Sequence, residues 1–150
     1  MKSTMRADEP LESSNGEAKL RILIVEDDAD TADSMAILLR MFTFDVQVAT
    51  DGAAALRTAL EKQPDVILLD IGLPKLDGWQ LAEQIRSHVT GKRPLLIALS
   101  GYGMQADQLR SQQAGIDLHF VKPVDPEVLR GVLQRFKAVA MPAADECPAI

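Results

Sequence analysis

The sequence predicts an α/β domain of the (βα)5 kind, a doubly wound sheet of five parallel strands whose faces are both covered by helices. Three observations carry this. Five short apolar runs recur along the chain: Leu20 to Val25, Val46 to Ala49, Val66 to Leu69, Leu95 to Leu99 and Leu118 to Val121. Between them lie segments with helical spacing. The runs are continuous rather than alternating, which is the pattern of strands buried on both faces and therefore of a parallel sheet.

The first run ends in Glu26-Asp27-Asp28, and Met35, Leu38, Leu39 and Phe42 then recur at i, i+3, i+4 and i+7, so a helix follows with Asp28 or Asp30 as its cap. After the second run, Asp51-Gly52 starts the second helix. The third run ends at Asp70, and Asp77-Gly78 opens the third helix; the fourth run ends at Ser100. The fifth closes on Lys122-Pro123, after which Asp125-Pro126 places a proline in the first turn of the last helix, carried by Val128, Leu129, Val132, Leu133 and Phe136. Phe42 and Trp79 are expected to be packing residues and His88 to lie at the surface.

A chain of 150 residues that is 47% hydrophobic and 25% charged suits one globular domain with its own core. The domain is expected over residues 20–138. Residues 1–19 and 139–150 lack apolar periodicity and are expected to be solvated tails. The formal net charge of -6 is spread along the chain, with no basic face to neutralise phosphate backbones, so direct nucleic-acid binding is not expected. Cys147 has no partner cysteine, which excludes an internal disulfide and fits a reducing compartment. There is no apolar stretch of signal-peptide or bilayer-spanning length, so the expectation is a cytoplasmic protein that does not enter the membrane. With no output domain after the last helix, the chain is expected either to act through its surface or to derive from a larger protein.

In an open parallel sheet, ligands bind beyond the carboxyl ends of the strands. The residues expected there are Glu26, Asp27 and Asp28, then Asp70, Ser100 and Lys122. Converging carboxylates repel one another unless they are protonated or a cation neutralises them, and an all-oxygen site with room for water suits Mg2+. A lysine beside such a site supplies positive charge to an incoming phosphoryl group. Carboxylate, hydroxyl, ammonium and metal together describe phosphoryl transfer.

Four motifs in register, Ile22-Leu23-Ile24-Val25-Glu26-Asp27, Leu68-Leu69-Asp70-Ile71-Gly72-Leu73-Pro74 with Asp77-Gly78, Ala98-Leu99-Ser100-Gly101 and Val121-Lys122-Pro123, give the chain its resemblance to the two-component response-regulator receiver domains. The resemblance covers roughly residues 20–137. It implies a flavodoxin-like strand order of 2-1-3-4-5 and a signalling role in a phosphorelay rather than turnover of an external substrate. It also implies that Asp70 accepts a phosphoryl group from a histidine kinase or histidine phosphotransfer protein. By the same resemblance, Asp27 and Asp70 hold Mg2+ directly, Glu26 acts through water, and the Gly72 carbonyl completes the ligands. Lys122 pairs with phosphoryl oxygens, Ser100 donates its hydroxyl to them, and the Lys122-Pro123 bond is cis. The segments around Ser100 and Lys122 are most similar to receivers of hybrid histidine kinases or to single-domain regulators.

The chain departs from the family pattern at His119, where an aromatic ring is usual, and at Ser100, where threonine is more frequent. Gly72 and Tyr102 fall where family side chains influence hydrolytic water. Because side chains alternate along a strand, His119 and Lys122 face opposite sides, with His119 against the fourth helix. Ser100 is expected to move toward the phosphoryl group and His119 to fill the space it leaves, so that the two form the switch. The surface of the fourth helix, fifth strand and fifth helix is expected to bind a target or a second copy of the chain. Two rival readings compete with this one. One is a haloacid-dehalogenase-like phosphatase using Asp28 of Asp28-Ala29-Asp30, although Ala32 stands where that family expects Thr or Val. The other is a pseudo-receiver that keeps the fold without the chemistry, although here the acceptor, acidic pair and lysine are all present.

Overall fold

The computed structural model describes residues 18–71, 77–101 and 105–140, without the side chains of 105–108. The expected tails, apart from their inner ends, and Cys147, Gly72 and Tyr102 lie outside the described residues. Five strands, β1 (Arg21–Val25), β2 (Asp45–Ala49), β3 (Val66–Asp70), β4 (Leu95–Ser100) and β5 (Leu118–Val121), alternate with α1 (Ala29–Met41), α2 (Gly52–Lys62), α3 (Gly78–His88), α4 (Gln105–Gln113) and α5 (Pro126–Ala140). All pairings are parallel, in the order β2-β1-β3-β4-β5. The last helix runs two residues beyond the domain end expected at 138.

The sheet divides the core into two apolar layers, as strand alternation requires. Leu23, Val25, Ile67, Leu69, Leu96 and Ala98 pack on one side, against α2 and α3, while Ile22, Ile24, Val66, Leu68, Ile97 and Leu99 pack on the other, against α1 and α5. Each fully buried Leu or Ile contributes about 1.5–3 kcal/mol on transfer from water. That dual burial explains why the strands are apolar along their whole length.

The acidic caps fall where the sequence places them. Asp28, Asp51 and Asp77 each accept amide hydrogens from the first turn of α1, α2 and α3, and Asp125 accepts from the Glu127 amide. Gly78 has a tighter reason than capping. A Cβ there would come within 2.7 Å of Ile71 Cδ1 and 3.3 Å of the Asp70 carbonyl oxygen, so glycine lets α3 begin directly against the end of β3.

At the amino end of the sheet the charges are already committed. Asp65 accepts from the Arg21 amide at 2.8 Å and from Lys92 Nζ at 2.6 Å. Asp117 accepts from Arg86 at 2.7 Å and from the Leu96 amide at 2.9 Å. The opposite end holds the groups that remain.

Candidate functional site

Asp70 is the final residue of β3 and is 2% exposed. It pairs across the sheet with Leu99, and Ser100 closes β4 one residue further on. Alternation puts Asp70 on the side of Leu68 and Leu99, facing α1 and α5. Lys122, just past β5, has the parity of Phe120 on that same side, and its ammonium donates to Asp70 Oδ2. The Lys122-Pro123 bond is cis, as expected. The same ammonium lies 4.0 Å from Glu26 Oε1.

Glu26 is also buried, and a small cleft beside it is walled by Ile24, Met35, Leu68 and Leu99. Its carboxyl is pushed up from 4.5 to about 7. Burial is the main cause, followed by the hydrogen bond to the Asp70 carboxyl; the Asp28 amide and Lys122 pull the other way. The buried Glu26 and Asp70 carboxyls face a single ammonium, and the excess of negative charge adds to burial in favouring a proton on Glu26. Asp27 is half-buried and follows Glu26 in the chain. Among the described residues, no three His, Cys, Asp or Glu side chains are gathered into a ready-made metal cage.

Asp28 stands apart. It is exposed, and its carboxylate accepts from the Thr31 hydroxyl and, at 3.1 Å, from the Thr31 amide, which holds its carboxyl below the usual range. Committed to the α1 cap, it is not placed as the nucleophile that the phosphatase reading needs.

On the other side of the sheet Ser100 meets His119. His119 pairs with Ala98, and Ser100 lies two residues beyond Ala98, so both side chains emerge on one face as diagonal neighbours. Ser100 Oγ is 2.8 Å from His119 Nε2, and His119 Nδ1 is 3.0 Å from the hydroxyl of Ser111 on α4. The Ser111 oxygen accepts in turn from Trp79 Nε1 at 3.1 Å. Arg110 lies over the Trp79 ring at 4.2 Å from its centroid and 3.8 Å from Asp77.

The structure thus brings together Asp70, Glu26 and Lys122 on one side, and Ser100 and His119 on the other. Gly72, the expected carbonyl ligand, lies outside the described residues. Sequence reasoning missed Ser111 and gave Trp79 only a packing role. The available signal was general: a largely buried indole N–H needs an acceptor. Nothing in the sequence of α4 marks Ser111, 32 residues away, as that acceptor. His88 is exposed, as expected, and contacts the Gln84 carbonyl oxygen.

Comparison with known proteins agrees with this arrangement. The sequence profile of the response regulator receiver domain matches residues 22–134. The chain is 37% identical over 120 residues to the DNA-binding dual master transcriptional regulator RpaA of Synechocystis sp., covering 77% of this chain and 49% of RpaA. It is 39% identical over 119 residues to the transcriptional regulatory protein PrrA of Mycobacterium tuberculosis, covering 79% of this chain and 49% of PrrA. It therefore spans about half the length of these relatives. Among solved structures, it resembles the receiver domain of the sensor histidine kinase PA1611 from Pseudomonas aeruginosa PAO1, which has a magnesium ion coordinated in its active site cleft. The TM-score is 0.71 at 34% identity, over 79% of this chain and 98% of that one.

Proposed function

Because this chain belongs to the response regulator receiver family, whose work is phosphorelay signalling, we propose that Asp70 is its phosphoacceptor and that Ser100 and His119 carry the resulting signal. The observation that carries the reading is a buried carboxylate at a strand end, with the Lys122 ammonium on one oxygen and the Glu26 carboxyl against it. The Asp70 oxygen attacks the phosphorus of a phosphohistidine on a kinase or phosphotransfer protein. The P–N bond breaks, the imidazole leaves, and a mixed anhydride forms. Lys122 is placed to meet the new negative oxygens. The experiment is labelling with acetyl phosphate and Mg2+ followed by mapping, which should give one alkali- and hydroxylamine-sensitive label, at Asp70.

The donor set fits a hard divalent cation, since the site holds more buried carboxylate than its ammonium neutralises. Asp27 and Asp70 would hold Mg2+ directly, Glu26 would act through water, and Gly72 would add its carbonyl. When bound, the metal supplies positive charge for the oxygens of the transferring group. In the metal-free protein the proton on Glu26 competes with the cation, so Mg2+ affinity is expected to fall as pH drops through about 7, measured by calorimetry. The stability effect has the opposite sign. A carboxyl raised from 4.5 to about 7 lends the metal-free fold stability that is complete below 4.5 and lost as pH rises through about 7. Mg2+ affinity that stays flat from pH 6 to pH 8 would remove Glu26 from the site.

Receiver domains are signalling domains rather than turnover enzymes, and any loss of phosphate from this chain is read as hydrolysis of its own anhydride. The partner is a histidine kinase or histidine phosphotransfer protein. The output surface is α4, β5 and α5, where Leu109, Leu118, Val121 and Val128 are exposed for a target or a second copy. No described helix is long and apolar enough to cross a membrane. A cytoplasmic setting is proposed from the partner. RpaA is named a DNA-binding regulator and this chain spans about half of it, so the expectation of no nucleic-acid contact drawn from charge is not supported. Ser100→Ala is expected to accept phosphate but to lose about 1–3 kcal/mol of coupling to the partner, and His119→Ala is expected to follow it. The measurement is partner affinity with and without beryllofluoride. Unchanged coupling in both variants would reject this switching route.

A further inference from the structure

The row Ser100, His119, Ser111 and Trp79 has more hydrogens than links to hold them. Between the two serines, a neutral imidazole makes two links, Ser111 to Nδ1 and Nε2 to Ser100, and each holds one hydrogen. Three hydrogens are available, one from each hydroxyl and one from the ring. One must therefore leave the row at an end. At the Ser111 end the next group is the indole N–H, which donates and cannot accept. Ser111 is 1% exposed, and among the described residues its hydroxyl meets only the indole and the imidazole. A surplus hydrogen there would be buried with no acceptor among the described residues, which costs more than the bond is worth. At the other end Ser100 closes β4 beside the end of β3, where the acidic site begins.

We propose that Ser111 and Trp79 are positioning residues that hold His119 in its Nε2–H tautomer and so leave the Ser100 hydroxyl hydrogen available to the phosphorylation site. Trp79 donates to Ser111, Ser111 donates to Nδ1, and Nε2–H donates to Ser100. The Ser100 oxygen is then an acceptor from the ring, and its own hydrogen is uncommitted to the imidazole. Each link polarises the next, which makes Ser100 a better donor to a negative oxygen. If the ring instead carried its hydrogen on Nδ1, Ser100 would have to turn its own hydrogen toward Nε2. It would then have none to offer. The last step rests on the reading of Ser100 as the phosphoryl donor; the tautomer does not.

The tautomer is read directly from the 15N shifts and couplings of the His119 ring in the unphosphorylated full chain, at a pH where the spectrum shows the ring neutral. The expected result is Nε2–H with Nδ1 unprotonated. Ser111→Ala, at a helix position that tolerates alanine, should mix the tautomers, and Ser111→Thr, which keeps the hydroxyl, should restore the single form. Beryllofluoride affinity in the presence of Mg2+ should fall about three- to tenfold in Ser111→Ala, the range of one hydrogen bond, and recover in Ser111→Thr. An Nδ1–H tautomer in the wild-type protein overturns the proposal without using any variant. So does a Ser111→Ala protein with the wild-type tautomer. If the tautomer behaves as expected while beryllofluoride affinity is unmoved, the relay exists but does not serve Ser100, and the positioning role is overturned. A failure of Asp70 labelling would instead strike the phosphoacceptor reading.

Discussion

Replacing Asp70 with asparagine is expected to take labelling by acetyl phosphate from one group per chain to none. The amide has no carboxylate oxygen with which to attack phosphorus, and the anhydride cannot form. Neighbouring acids are not equivalent substitutes. Glu26 holds a proton up to about pH 7, and Asp28 is committed to the cap of α1. The same substitution has a local consequence that shows whether the site has kept its shape. The hydrogen bond and charge of Asp70 both help to raise Glu26, so its carboxyl should move back toward 4.5 in the variant, as followed by carboxyl 13C shifts. Full labelling in Asp70→Asn, with no relocation to another acid on mapping, would show that the acceptor lies elsewhere.

The second large effect is expected at Asp27. Asp27→Ala removes one of the two carboxylates read as direct metal ligands, leaving Asp70 already engaged by Lys122. Loss of an outer-shell partner alone typically costs a metal site about 10- to 100-fold in affinity, so loss of a direct ligand should cost at least that for Mg2+. Labelling should fall in parallel. Folding should not, because Asp27 is only half-buried and belongs to neither core layer, and such substitutions usually stay within about 0.5 kcal/mol. Calorimetry gives the Mg2+ affinity and thermal unfolding gives the stability. Unchanged Mg2+ binding in a folded Asp27→Ala protein would break the assignment of the acidic pair.

Local pattern along the chain sets the elements and their ends. A strand covered on both faces is apolar throughout, a helix repeats its apolar positions every three to four residues, and a carboxylate just before a helix satisfies its first amides. All of these signals lie within a few residues of one another. They sufficed to put Asp70, Ser100 and Lys122 at strand ends, where the structure has them, and to send His119 and Lys122 to opposite faces. Which of these groups touch is settled only by the packing of distant elements. Lys122 reaches Asp70 across 52 residues of chain, and only the placing of β3, β4 and β5 side by side brings them together. The Glu26 carboxyl is pushed up because β1, α1, β3 and β4 bury it against a second carboxyl, a condition that no local pattern encodes. The row from Ser100 to Trp79 draws on β4, β5, α4 and α3, and its hydrogen bonds exist because α4 packs Ser111 between the imidazole and the indole. Hydropathy and spacing specify each element's own face; the partner of a polar group on that face follows from strand order and helix packing, which only the folded chain fixes.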